Sequence, residues 1–106
     1  MVLAVKAALT CGTDLKAFRR GHPKFPCPTP FGHEASGVVI ARGSDVKGFE
    51  VGDAVMTANS GPCGQCFWCR ADEENFCETL ADHFLLGACA EQLLVPERIL
   101  RVNAFR

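Results

Sequence analysis

Gly61-Pro62-Cys63-Gly64-Gln65-Cys66-Phe67-Trp68-Cys69, followed by Cys77, is the stretch that decides how the chain is read. The spacing is C-x2-C-x2-C-x7-C. Four thiolates gathered over so short a run can close a tetrahedral shell around zinc, and Gly61, Pro62 and Gly64 let the backbone wrap closely around an ion. The nearest competitor is an iron–sulfur cluster, because C-x2-C-x2-C also opens the bacterial ferredoxin run. That run closes with C-x3-C-P, whereas here the last gap is seven residues and Glu78 follows Cys77. Disulfides or free thiols would use the same four cysteines without a metal. A shell of four protein ligands leaves no position for water or substrate, so it braces a fold rather than performing chemistry. The neighbouring Asp72-Glu73-Glu74 reads as solvated surface.

The composition agrees with a metal-braced domain. The chain has 106 residues, a formal net charge of −1 and seven cysteines. That length suits a single domain, 1–106, with a small core. The charge offers nothing to a nucleic acid. No apolar run is long enough to span a membrane, and the opening residues lack the basic, apolar and small-residue pattern of a signal peptide, so none is expected. The expected compartment is the cytoplasm, where clustered cysteines more often hold metal than form disulfides. An odd cysteine count also fits a complete disulfide framework poorly.

Outward from the quartet, the periodicity predicts mostly strands. Met1–Leu9 is an apolar strand. Thr13 or Asp14 is expected to cap a short helix running to about Arg19. Residues 21–32 hold four prolines and must be an extended loop. Ala35–Arg42 contains the β-branched run Val38-Val39-Ile40, and Gly43-Ser44-Asp45 is a turn. Val51–Met56 is a further strand. Residues 57–83 form a long polar excursion around the quartet, of a length that is unusual without a function or a metal staple. Ala88–Val95 returns as a strand, and Ile99–Val102 is expected to be another. The sum is a mostly β fold, a small barrel or sandwich with short helices.

A second constellation lies outside the quartet. Cys11-Gly12-Thr13-Asp14 and Gly32-His33-Glu34 each carry little alone, since a lone cysteine or histidine is usually structural. Together they place a thiolate and an imidazole on loops of a chain already using zinc. A cysteine, a histidine, one further ligand and an open position describe a catalytic zinc site.

With these two motifs the chain resembles the catalytic, GroES-like domain of the zinc-dependent medium-chain alcohol and polyol dehydrogenases. Gly43-Ser44-Asp45-Val46 with Gly52-Asp53-Ala54-Val55, the quartet, and Gly87-Ala88-Cys89-Ala90-Glu91 before Val95-Pro96 occur in the family's order and cover nearly the whole chain. The resemblance implies a GroES-like, partly open β-barrel with a zinc-braced loop lobe at about 57–83. It implies that Cys63, Cys66, Cys69 and Cys77 hold structural zinc, and that Cys11 and His33 ligate catalytic zinc with Glu34 as an occasional or water-mediated ligand. Thr13 would hydrogen-bond the substrate hydroxyl and pass on its proton. Asp14 would orient His33 through its other ring nitrogen. The implied reaction is NAD(P)-linked oxidation of a small alcohol or polyol, in which a zinc-bound alkoxide gives hydride to nicotinamide.

The chain also departs from that pattern. It carries no G-x-G-x-x-G after a strand, so NAD(P) is expected in the full-length family and not on these residues alone. The third catalytic ligand is expected beyond Arg106 and an opening hairpin before Met1; His22, Cys27 and His83 are candidate substitutes for the ligand. Lys16 stands where some alcohol dehydrogenases carry a relay histidine, which together with the 21–32 loop leans toward the sorbitol and threonine dehydrogenase branch. Leu9-Thr10 stands where the family favours a glycine and an apolar residue, Arg42 occupies a usually apolar position of the barrel, and Cys89 replaces an aromatic residue. The expectation is a catalytic-domain portion that is inactive alone, chelator-sensitive and aggregation-prone. Two further readings stand beside it: a non-catalytic zinc-binding or oligomerisation module, and one half of a split dehydrogenase whose Rossmann domain is separately encoded. Phe67 and Trp68 are expected to pack the zinc lobe or rest on a neighbouring subunit of a homo-oligomer.

Overall fold

Among the described residues, Val2–Leu9 (β1) and Glu34–Ala41 (β2) form the longest antiparallel pair. The computed structural model describes all residues except Lys24, Pro26, Val102 and Asn103. In β2 the residues Ala35, Gly37 and Val39 are buried and alternate with more exposed neighbours, as a half-buried strand requires. Ala54–Thr57 (β3) pairs with β2, Gln92–Leu94 (β4) with the other edge of β1, and Ala104–Phe105 (β5) with β3. Among the described residues the result is one five-stranded sheet in the order β4-β1-β2-β3-β5, its pairs antiparallel and its two edge strands unpaired with each other. It matches the expected mostly β, partly open architecture.

Among the described residues, three short α-helices interrupt the strands: Gly12–Arg20 (α1), Phe67–Arg70 (α2) and Glu97–Leu100 (α3). Two single 3-10 turns, Glu74–Phe76 and Leu80–Asp82, lie in the cysteine-bearing excursion. Leu3, Val39, Val95 and Ile99 are almost completely buried and pack with Val55, Leu85 and Leu93 against one face of the sheet. Among the described residues, no helix is long and apolar enough to cross a membrane.

The β1–β2 register carries the functional consequence. Leu9 at the end of β1 pairs with Glu34 at the start of β2. Cys11 leaves one strand and His33 enters the other at the same corner of the sheet. Register shifts between Val2 and Leu3 and between Val5 and Ala7 interrupt the ladder on the way to this corner.

Several local expectations are corrected. The N-cap of α1 is Cys11, not Thr13 or Asp14: its sulfur accepts the amide of Thr13, while the Asp14 carboxylate accepts the amide of Cys11 in a reciprocal capping box. Val51 and Gly52 belong to a turn, so that strand is only Ala54–Thr57, and the strand expected from Ala88 shrinks to Gln92–Leu94. Ile99 and Leu100 are helical. Pro96 precedes α3 with extended backbone, and the amide of Leu100 closes a turn onto its carbonyl. A four-residue apolar run shows strand and helix the same face, and Pro96 favours the helix start. Val102 lies outside the described residues.

Arg42 is exposed at the end of β2. It forks onto the Glu50 carboxylate at 2.8 to 3.2 Å and donates to the carbonyl of Val46, so it intrudes on no core.

Candidate metal centres

The four quartet sulfurs lie within 4.8 Å of one another. Backbone amides hold them there. Those of Gln65 and Cys66 point at the Cys63 sulfur, at 3.5 and 3.3 Å, and that of Cys63 points at the Cys77 sulfur, at 3.2 Å. Cys69 and Cys77 are buried, and Cys63 and Cys66 half-buried. α2 begins directly after Cys66 and its single turn brings Cys69 back over Cys63, Sγ to Sγ 3.9 Å.

The thiols are not equivalent. Backbone N–H groups of Cys69 and Glu78 draw the Cys66 thiol below its ordinary value. Burial opposes ionisation at Cys77, but the N–H groups of Cys63 and Thr79 and the Thr79 hydroxyl together outweigh it and bring the thiol down to about 6. Burial pushes Cys69 up to about 12. A thiol that resists ionisation in this way stays protonated until a bound cation displaces its proton. Four soft donors at this separation suit zinc, which deprotonates coordinated thiols. Phe67, Trp68 and Phe76 pack as a cluster on this segment, with Trp68 5.2 Å from Phe67 and 5.4 Å from Phe76 between ring centroids.

The second cluster is Cys11, His33 and Glu34, whose ligand atoms also lie within 4.8 Å of one another. The Cys11 sulfur is 3.3 Å from Nε2 of His33, and the Glu34 carboxylate 3.8 Å from the same nitrogen. Nδ1 of His33 faces the buried Asp14 carboxylate at 3.2 Å. The carbonyl of Gly32, immediately before His33, accepts the amides of Gly87 and Ala88 and pins the approach to β2. Phe25 stacks between His22 and His33, at 4.4 and 6.5 Å between ring centroids. One thiolate, one imidazole and one half-exposed carboxylate suit a zinc ion with an accessible face.

Thr13 is exposed on the first turn of α1, beside Cys11. Among the described residues, His22, Cys27 and His83 are outside both clusters; Cys27 is an exposed free thiol. Sequence reasoning missed Arg98, whose guanidinium reaches the Cys77 sulfur at 3.7 Å from 21 residues away. No spacing rule relates the two. It also missed Phe25, although an aromatic between prolines in a loop facing a histidine is a weak sign of such packing.

Comparison with known proteins agrees with the geometry. The profile of the alcohol dehydrogenase GroES-like domain matches residues 1–103. An L-threonine 3-dehydrogenase of Deinococcus deserti is 35% identical over 111 aligned positions, covering all of this chain and 31% of that protein. Zinc-type alcohol dehydrogenase B of Aspergillus flavus is 38% identical over 91% of this chain and 23% of its own length. Among solved structures, alcohol dehydrogenase TADH from Thermus sp. ATN1 superposes with a TM-score of 0.75 at 34% identity, over 98% of this chain and 31% of that one. Galactitol-1-phosphate dehydrogenase from Escherichia coli does so with a TM-score of 0.79 at 28% identity, over 98% and 29%. The chain thus spans about a third of the length of the relatives it matches. It belongs to the alcohol dehydrogenase GroES-like domain family of the zinc-dependent medium-chain dehydrogenases.

Proposed function

We propose that residues 1–106 are the catalytic-domain portion of an NAD(P)-linked alcohol or polyol dehydrogenase, with structural zinc at Cys63, Cys66, Cys69 and Cys77 and catalytic zinc at Cys11, His33 and Glu34. The observation that carries the second site is the convergence of those three ligand atoms with Asp14 behind His33. The names of the relatives, threonine and alcohol dehydrogenases, support a small alcohol as substrate class.

In this reading zinc would act as a Lewis acid toward the substrate hydroxyl. The chain's own residues do the positioning. Asp14 accepts the Nδ1 proton of His33, which fixes the ring and leaves Nε2 as a free donor atom beside the Cys11 sulfur. Thr13, exposed on the first turn of α1, would hydrogen-bond the substrate hydroxyl and pass on its proton, releasing its own hydroxyl proton to solvent as it accepts that of the substrate. The second product of oxidation is a hydride, which a nicotinamide ring accepts. A nicotinamide site is expected outside these 106 residues, on a Rossmann domain of the same or a separately encoded chain. The domain by itself is therefore expected to show no turnover.

A non-catalytic zinc-binding or assembly module is the second reading, favoured by a quartet that is complete and partly buried while Glu34 is half-exposed. Elemental analysis of the purified chain distinguishes them. Two zinc ions per chain, falling to one in His33→Ala, support the catalytic reading. One zinc, unchanged in His33→Ala, supports the module. Alcohol-dependent NAD(P)H formation by the 106-residue chain would refute the expected inactivity.

A further inference from the structure

Arg98 lies in α3 beside Ile99, which is 1% exposed and anchors that turn in the core. Its side chain runs the other way, into the cysteine segment. Nε donates to the carbonyl of Gly61, just before the quartet. Nη2 lies 3.0 Å from the Thr79 hydroxyl, 3.3 Å from the Thr79 carbonyl and 3.7 Å from the Cys77 sulfur, all at the far end of the quartet. The backbone takes part as well. A Cβ on Gly61 would run into the carbonyl group of Arg98, so glycine is required for the two segments to approach.

Four thiolates around a divalent ion leave two negative charges over, here with two of the sulfurs buried. Charge-assisted donors to such sulfurs are strong, and uncompensated charge away from water is costly. Among the described residues, the Arg98 guanidinium is the side-chain cation that donates to a quartet sulfur.

We propose that Arg98 is a positioning residue for the quartet metal site: its guanidinium offsets the excess negative charge at Cys77 and clamps the entry and exit of the site, Gly61 and Thr79, to the core through α3. The proposal rests on the reading of the quartet as a zinc site. It differs from a plain strut in one respect. A strut would matter only to the two carbonyls, whereas the proposed role alters the metal–sulfur bond itself.

The test uses the 106-residue chain in a His33→Ala background, so that the quartet metal is read alone. Arg98→Met should weaken zinc binding about 10- to 100-fold, the range for partners that orient metal ligands. Transfer of zinc to a coloured chelator should speed up by at least about tenfold for the same reason. With cobalt in place of zinc, the thiolate-to-metal charge-transfer band should move to longer wavelength, because Cys77 loses a donor. Arg98→Lys, which keeps the charge but cannot reach three acceptors, should fall between. Unchanged zinc transfer and an unchanged cobalt band in Arg98→Met, even with a lower melting temperature, would reduce Arg98 to a strut and overturn the proposal. If Arg98→Met fails to fold, the same two readings on Arg98→Lys decide it. A parent chain whose quartet takes up no metal refutes the zinc reading itself, an outcome distinct from parent and variant releasing zinc alike.

Discussion

Asp14 and His33 face one another at 3.2 Å, carboxylate to Nδ1, between the first turn of α1 and the start of β2. The other oxygen of the same carboxylate accepts the amide of Cys11 at 2.9 Å. One buried side chain thus holds both a thiol and an imidazole in place, by capping a helix with one oxygen and orienting a ring with the other. This explains why α1 exists where it does: among its residues only Asp14 is buried, and Leu15 and Phe18 stand in solvent.

Asp14→Asn should therefore damage both ligands at once. Its amide can accept from one donor only, and its NH2 then opposes either the Cys11 amide or Nδ1 of His33. A buried donor left unpaired costs about 1–3 kcal/mol, and metal affinity at this site should fall about 10- to 100-fold. Titration with zinc and thermal unfolding measure the two effects. Retention of full affinity would show that His33 keeps its orientation without the carboxylate.

Thr13→Ala is the matched control. Only the Thr13 amide is used by Cys11, and the side chain is exposed. Stability should change by less than about 0.5 kcal/mol and zinc content not at all. Loss of zinc from this variant would place the hydroxyl among the groups holding the metal.

Chelation should act unevenly. Cys63, Cys66, Cys69 and Cys77 sit on a stretch whose regular elements are one helical turn and two 3-10 turns. Structural zinc contributes about 10–16 kcal/mol to the folding of zinc-finger peptides at neutral pH. Removing it, or making Cys69→Ser, should first expose the amides of 61–82, while the β1–β2 ladder stays protected longest. Hydrogen exchange read by mass spectrometry checks this. Simultaneous loss of protection in both regions would mean that the metal holds the sheet as firmly as the loop.

The quartet was legible in the sequence because all four donors are local, and a thiolate at fixed spacing means the same thing in most surroundings. Cys11 and His33 are 22 residues apart, so no local spacing pairs them; ligand type suggested a shared site and the family resemblance supported it. The pairing is made by the Leu9–Glu34 register, a tertiary fact. The capping role of Cys11 was unreadable because cysteine is an uncommon cap, and Thr13 and Asp14 carried the better propensity. Ile99–Val102 misled because apolar content decides burial before it decides conformation. β5 has two residues and takes its structure from Met56 and Thr57 rather than from its own sequence. Arg98 left no signal, since its partners are two carbonyls, a hydroxyl and a sulfur brought to it by the fold.

Gly37 tests the register directly. It faces Val5 in the middle of the β1–β2 pair, and a Cβ there would strike the carbonyl of Ala4. Backbone cannot yield as a side-chain tip can. Gly37→Ala should cost about 3 kcal/mol, enough to threaten a domain of this size. Gly43→Ala, where a Cβ meets nothing within 4 Å, should be neutral to within about 0.5 kcal/mol. Urea unfolding of the zinc-loaded chain compares them. Equal midpoints would mean that β1 and β2 shift apart without penalty, and the corner joining Cys11 to His33 would then be less rigid than its hydrogen bonds imply.

Thr57 predicts a gain rather than a loss. Its residue is 5% exposed, and among the described residues its hydroxyl has no hydrogen-bond partner. Its backbone lies in register with Ala35 on one side and Ala104 on the other, and the deficit sits on the side-chain oxygen. Valine keeps the branched shape that β3 accommodates and removes the oxygen. A buried hydroxyl without a partner costs about 1–3 kcal/mol in protein mutational data, and Thr57→Val should recover about 1 kcal/mol of it. The urea midpoint should rise with the slope unchanged, since the surface exposed on unfolding stays nearly the same. A lower midpoint would show that the hydroxyl is hydrogen-bonded in solution, and would identify the β3–β5 edge as polar rather than sealed.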